Sequence, residues 1–258
     1  MNEMVGYELI NRIGYIILNR PEKRNALSYE FVYKIKEKLT AAINDPNCKV
    51  IIIKSSGEAF CAGADLAYLQ QLQKNTYEEN LADSTHLMEL FSMIYHAPKI
   101  IISQVEGPAI AGGCGLASVC DFCFATPEST FGYTEVKIGF VPAIVMVFLL
   151  RKVGESSARE MMLTGDVFDA SQAMQYKLIN KVIEANSIEE YVIKFAEKLC
   201  RTASSQSITL VKQMAANVPH LSSEDALLYA AKTNAAARST DDCKKGISSF
   251  LNKEKLEW

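Results

Sequence analysis

Two short runs of small residues are the first places where this chain could do chemistry: Ala62-Gly63-Ala64-Asp65 and Ala111-Gly112-Gly113-Cys114-Gly115. Each follows an apolar, strand-like run and precedes a helical pattern. A helix start leaves N–H groups without intrahelical partners and carries partial positive charge. Small residues let a ligand approach that backbone closely. Two such turns facing each other can hold one oxygen that gains negative charge as a reaction proceeds. Losing one donor from such an oxyanion hole costs about 3–4 kcal/mol of transition-state stabilisation. Taken singly, either turn is equally well explained as a tight strand-to-helix connection.

The elements that must position these turns are legible from periodicity. Residues 15–18, 50–53, 100–105 and 122–125 are apolar runs, the signature of strands covered on both faces. Ser28 reads as an N-cap for a helix carrying Phe31, Ile35 and Leu39 on one face, with Val32 and Ile43 beside it. Asp45-Pro46-Asn47 ends that helix. A second long helix is expected over residues 78–96, stopping before Pro98. The strand, small-residue turn and helix pattern occurs twice, about fifty residues apart, which predicts a layered α/β core. Beyond residue 187 only helical patterns remain, over 207–217, 222–238 and 241–251. The expected division is a core over 1–200 and a helical region over 201–258.

Composition narrows the classes. The 258 residues are 49% hydrophobic and 22% charged, ordinary for a soluble globular chain. A net charge of −3 argues against a nucleic-acid binder. The apolar run 143–150 is too short to span a bilayer, so no membrane partner is expected. Seven cysteines at irregular spacing, with no basic, apolar leader pattern at residues 1–7, read as free thiols in a cytoplasmic setting. Cys120 and Cys123 enter a strand and lack a second pair, so they read as core thiols and no metal is expected. Gly113-x-Gly115 lacks the third glycine of a dinucleotide fingerprint, because Ser118 stands there. His86, His96 and His220 are isolated in the sequence.

Several stretches resemble the crotonase superfamily, the enoyl-CoA hydratases and isomerases. Phe60-Cys61-Ala62-Gly63-Ala64-Asp65-Leu66 is similar to its F-x-A-G-A-D motif, and Val105 to Cys114 to its N-G-x-A-x-G-G-G motif, with departures. Asn19-Arg20-Pro21, followed by Asn25-Ala26-Leu27, is similar to the opening N-R-P-x-x-x-N-A. Phe131 to Pro142 resembles the segment carrying Pro-Glu, and Leu163-Thr164-Gly165 with Ala170 and Ala173 resembles a later one.

The resemblance implies an α/β fold, a crotonase-like spiral of ββα units with a C-terminal helical region that builds a homo-trimer or a hexamer. It implies an acyl-CoA thioester substrate and no separate cofactor, since coenzyme A is part of that substrate. The N–H groups of Ala64 and Gly112 would hold the thioester oxygen, and Glu135 would move a proton. Lys23, Arg24 and Ala26 would lie near the nucleotide end of coenzyme A. Ala62, Asp65 and Leu66 would lie near its adenine or pantetheine, and Gly113 beside the thioester. Phe250 and Lys253 would reach the coenzyme A of a neighbouring subunit.

Two departures bear on the reaction. Family hydratases typically use two glutamates, and the position of the first is Gly115 here. Family isomerases manage with one, at the position of Glu135. The run after Pro142 lacks the usual glycines and resembles methylglutaconyl-CoA hydratase-like members, several of which also lack the first glutamate. Hydration and double-bond isomerisation therefore both stay open, as do acyl-CoA decarboxylation, thioester hydrolysis and non-catalytic acyl-CoA binding. Tyr133, Glu106 or a residue of the 78–96 helix could replace the missing base. Ile138, Phe140 and Val141 are expected to give Glu135 the apolar setting that raises a carboxyl pKa.

Overall fold

The computed structural model describes residues 3–258. The chain opens with a hairpin, β1 (Val5–Ile10) and β2 (Ile13–Leu18), in which Ile10 faces Ile13. Asn11 and Arg12 both have positive φ (50° and 69°), the geometry of a two-residue turn matched to strand twist. Helix α1 (Tyr29–Asn44) follows, and the Ser28 side chain accepts the Phe31 N–H as expected of its N-cap. Next come β3 (Val50–Ser55), α2 (Leu66–Leu72) and α3 (Tyr77–His96). Then follow β4 (Ile100–Val105), β5 (Ala109–Ile110) and α4 (Gly112–Val119).

After β6 (Phe122–Ala125) and β7 (Thr130–Gly132), a 3-10 turn, Thr134–Ile138, leads to α5 (Ala143–Val153) and α6 (Glu155–Thr164). The last strands are β8 (Val167–Asp169) and β9 (Lys181–Val182), separated by α7 (Ala170–Gln175). Four helices finish the chain: α8 (Ile188–Thr202), α9 (Ser205–Asn217), α10 (Ser223–Ser239) and α11 (Asp241–Leu251).

Six strands form the main sheet in the order β1-β2-β3-β4-β6-β9, parallel from β2 onward. Alternate residues serve opposite faces. On one face Ile51, Ile53 and Ile101 pack with Phe31 and Ile35 of α1 and Phe91 of α3. On the other, Val50, Ile52, Ile100 and Ile102 pack with Ile188, Val192 and Ala196 of α8. Both faces are covered, which is why these strands read as unbroken apolar runs.

The strands β3, β4 and β6 are each followed by a short extended segment that joins a second, smaller sheet. These segments are Cys61, β5 and β7. Cys61 bridges Ala109, and Ala109 pairs with Phe131, both in parallel. A turn into helical backbone follows each. This is the expected repeat of strand, strand and helix, with the first strands stacked in one sheet and the second in another.

The division expected near residue 200 falls inside α8. That helix runs on to Thr202 because Cys200 still packs against the sheet, and the chain first leaves helix at Ala203. Helices α9, α10 and α11 then pack on one another. Within one chain α10 buries no residue, and Leu227 and Phe250 are 73% and 83% exposed. Among the described residues no helix is long and apolar enough to cross a membrane.

Candidate active site

The small sheet fixes the site. Cys61, Ala109 and Phe131 lie side by side in register. Ala64 and Gly112 each come three residues after their member of that row, and Glu135 comes four after. Adjacent strands are about 4.8 Å apart, so three segments distant in sequence emerge as neighbours, with Gly112 in the middle.

The first turn is clamped by the loop before α1. Leu27 N–H donates to Gly63 O (2.6 Å), Asp65 N–H to Leu27 O (2.9 Å) and Ala62 N–H to Arg24 O (3.0 Å). Asn25 is fully buried beneath this contact. Its Nδ2 donates to Ser56 O and Ala59 O, both at 2.9 Å, and its Oδ1 accepts the Arg20 N–H. Gly63 has φ +88°, and a Cβ there would lie 2.8 Å from Ile110 O and 2.9 Å from the Ala111 Cβ. The two turns therefore touch backbone to backbone, as only glycine at this position allows.

The second turn is held by Ala111, whose N–H donates to Gly132 O (2.7 Å). Ala111 caps α4 at φ 53°, ψ −125°, backbone that a residue with a Cβ rarely adopts. Such strain costs about 1–3 kcal/mol. It turns Gly112 into the first position of α4. Among the described residues, neither the Gly112 nor the Ala64 N–H donates to a backbone carbonyl. Ala64 is exposed and Gly112 half-buried.

Glu135 follows β7 and sits in the 3-10 turn, its carbonyl accepting the Phe140 N–H (3.0 Å). The residue is only 8% exposed, and its Oε2 is buried without a hydrogen-bond partner. Burial raises its pKa above the ordinary 4.5, offset only by its own backbone N–H. The apolar setting does not come from Ile138, Phe140 and Val141, which are exposed, Ile138 by 67%. The Cys114 thiol is pushed up to about 12, chiefly by burial and in part by the Glu135 charge. The Tyr133 phenol is raised well above its usual value by burial and, in smaller part, by the same carboxylate.

Gly115, the position where two-glutamate relatives would carry their first acid, is not merely vacant. A Cβ there would lie 2.2 Å from Val145 Cγ1, 2.9 Å from Val145 Cβ and 3.1 Å from a Phe91 ring carbon. Val145 and Phe91 fill the space. The expected substitutes are engaged elsewhere. Tyr133 is fully buried and shares a hydrogen bond with Ser118 Oγ (3.0 Å). Glu106 accepts from Gln104 (2.6 Å). On α3, Glu79 closes a capping box with Thr76, Asp83 accepts the Tyr68 hydroxyl, and Glu89 pairs with Lys36. His86 stacks on Tyr29 and meets its carbonyl at 3.1 Å.

The other expected ligand residues divide. Lys23 and Arg24 are exposed at the edge of the first turn, Leu66 is exposed beside it, and Ala62 is half-buried there. Ala26 is buried. Asp65 is better explained as scaffold. Its Oδ1 caps α2 through the Ala67 and Tyr68 N–H groups, and its Oδ2 pairs with Arg20 at 3.0 Å. Burial would raise its pKa, but the Tyr68 N–H and Arg20 hold it below the ordinary value. At Gly113 a Cβ would lie 2.1 Å from Cys61 O, so only glycine fits against the first turn there. Phe250 and Lys253 lie on and just after α11, which packs on α9 and α10. Sequence reasoning gave no role to Arg20, Asn25, Phe91 or Val145. For Arg20 and Asn25 the opening motif was the available signal.

Comparison with known proteins places this geometry. The family model for enoyl-CoA hydratase/isomerase matches residues 8–258. A Thermus thermophilus protein assigned as an enoyl-CoA hydratase is 39% identical over 241 residues, covering 93% of this chain and 95% of its own. Crotonyl-CoA hydratase of Syntrophomonas wolfei is 31% identical over 258 residues, covering 99% of this chain and 98% of its own. The crystal structure of an enoyl-CoA hydratase from Shewanella pealeana superposes with a TM-score of 0.94 at 27% identity, over 99% of this chain and 96% of that one. These likenesses define the crotonase fold. The chain belongs to the enoyl-CoA hydratase/isomerase family.

Three outcomes are expected. Ala111→Gly should raise the melting temperature by relieving its backbone strain; a lower one would mean the Cβ contact outweighs the strain. Gly115→Ala should destabilise by about 1–3 kcal/mol through overpacking. In a Val145→Ala background the same change should cost at least about 1 kcal/mol less in urea unfolding, a coupling that additive effects would rule out. Finally, folded Glu135 binds its proton more tightly than the unfolded chain does, so its contribution to stability falls as pH rises through the folded pKa. Glu135→Gln should therefore raise the melting temperature above the folded pKa, with the gain shrinking as pH falls through that pKa and gone below the ordinary value of 4.5.

Proposed function

We propose that this chain moves the double bond of an enoyl-CoA thioester, using Glu135 as its one acid–base group and the Ala64 and Gly112 N–H groups as an oxyanion hole. In this reading Glu135 takes a C2 proton from a 3-enoyl thioester. The electron pair left behind is delocalised through C1 onto the thioester oxygen, where the two N–H groups meet the charge. The resulting dienolate then takes the proton back at C4. The C3–C4 double bond becomes C2–C3, and nothing else is gained or lost.

The observation that carries this reading is the filled space at Gly115. A second acid–base group beside the substrate would need that space, and Val145 and Phe91 hold it. A positioned acid or base contributes about 10²–10⁴-fold, so its absence weighs heavily against water addition. The upward shift of the Glu135 pKa is in the direction that a group taking and returning a proton needs. Hydration is the second reading, because relatives such as the Syntrophomonas wolfei enzyme are named as hydratases. The methylglutaconyl-CoA hydratase likeness belongs with it. The exposed Leu227 and Phe250 support a trimer or hexamer, in which Phe250 and Lys253 would meet a neighbour's coenzyme A.

Glu135→Gln tests the assignment. Deuterium exchange at C2 of an enoyl-CoA in heavy water, followed by mass spectrometry, should fall by about 10²–10⁴-fold while coenzyme A ester affinity is kept. Exchange at the wild-type rate would remove Glu135 from the mechanism.

A further inference from the structure

A cavity of about 330 Å³ opens at the C-terminal end of α4, opposite the end that carries Gly112. Eight helical residues separate the two ends by about 12 Å. None of Ala64, Gly112 and Glu135 lines this cavity.

Three cations do: Arg151 and Lys152 from α5, and Lys212 from α9. Among the described residues, Asp121 is the one carboxylate in its wall. Three positive charges against one negative leave a formal surplus of two, in a chain whose total is −3.

Much of this charge is already placed. Lys152 Nζ donates to Ser118 O (2.6 Å) and Cys120 O (2.9 Å), closing the end of α4. Lys212 Nζ donates to Asp121 Oδ2 (2.6 Å) and Lys99 O (2.9 Å). Asp121 also accepts the Ile101 N–H at the same Oδ2 (2.7 Å), so that oxygen is shared between Lys212 and the backbone. An ammonium has three donors, which leaves one on each lysine. Arg151 donates from Nη1 to Val147 O (2.5 Å), and its Nη2 lies 3.0 Å from His220 Nε2. The rest of its five donors are uncommitted. The lining also has an apolar part, with the Tyr95 and Phe148 rings 5.1 Å apart.

We infer that this cavity is a second ligand site, for a small organic anion: a carboxylate or phosphate group on a compact apolar body. Arg151 and the spare lysine donors take the anionic group, and Tyr95 and Phe148 cover the body. A neutral ligand leaves the surplus charge unanswered. A bare inorganic ion leaves the ring wall wet. The volume lies at the small end of the range for ligand pockets, which excludes a whole coenzyme A ester.

Isothermal titration of the full chain with phenyl phosphate, benzoate and inorganic phosphate tests this. Two variants accompany the wild type. Arg151→Gln removes the free donors, and Ala215→Phe, at an exposed position on the cavity wall, fills the space without entering the core. Thermal melts check that both stay folded. Phenyl phosphate or benzoate should bind saturably, at least about tenfold tighter than inorganic phosphate. Arg151→Gln should weaken that binding about tenfold or more, and Ala215→Phe should abolish it. Three results overturn the inference: no saturable binding of any probe, binding that survives both variants, or inorganic phosphate binding as tightly as phenyl phosphate.

Discussion

The parallel backbone pairing of Cys61, Ala109 and Phe131 sets where everything else in the site can be. Each of these residues ends one strand-strand passage of the spiral, and each is followed by a turn. Because the three are in register, the turns leave the small sheet at one level. The Leu27–Gly63 hydrogen bond then holds the first turn to the loop before α1, and Ala111–Gly132 holds the second turn to β7. Open N–H groups and a carboxylate are thus delivered to one place by backbone geometry. In the proposed reading Ala64 and Gly112 act through their backbone, and small side chains suit that part. The strain at Ala111, about 1–3 kcal/mol, is smaller than the 3–4 kcal/mol that one well-aimed N–H contributes in a transition state.

Glu135 shows the same trade in electrostatic form. A carboxyl oxygen buried without a partner is unfavourable for folding, by about 1–3 kcal/mol for a polar group of this kind. It is also what a proton carrier needs, because the charged form is not over-stabilised. Beside it the protein is closed rather than open. Val145 and Phe91 pack into the volume a side chain at Gly115 would need, so the core is closed at that position. A side chain there would require Val145 and Phe91 to shift.

Much of this was legible from residue order. The apolar runs at Ile51, Ile101 and Phe124 announced covered strands, Ser28 announced a helix start, and the two small-residue turns announced open backbone. What was not legible depended on contacts between distant segments. Cys61 pairs with Ala109 as a single bridge, too short to leave a periodic pattern. Asn25 bonds to Ser56 and Ala59 across about thirty residues, and its type alone gives no hint of that. Asp65 carries both a helix-cap signal and a ligand signal, and only its pairing with Arg20 decides for the scaffold. The run Ile138 to Val141 is apolar, but sequence does not say that Ile138, Phe140 and Val141 are exposed while Glu135 is buried. The filling of position 115 by Val145, thirty residues later, leaves no trace in either segment.

The central claim is that one carboxylate moves a proton and no water is added. The most direct measurement offers a 3-enoyl-CoA to the wild-type chain in water enriched in oxygen-18 and follows the products by mass spectrometry. The account predicts a 2-enoyl-CoA of unchanged mass, with no labelled hydroxyacyl product formed at a comparable rate. A 3-hydroxyacyl-CoA carrying oxygen-18, appearing as fast as the double bond migrates, would contradict it.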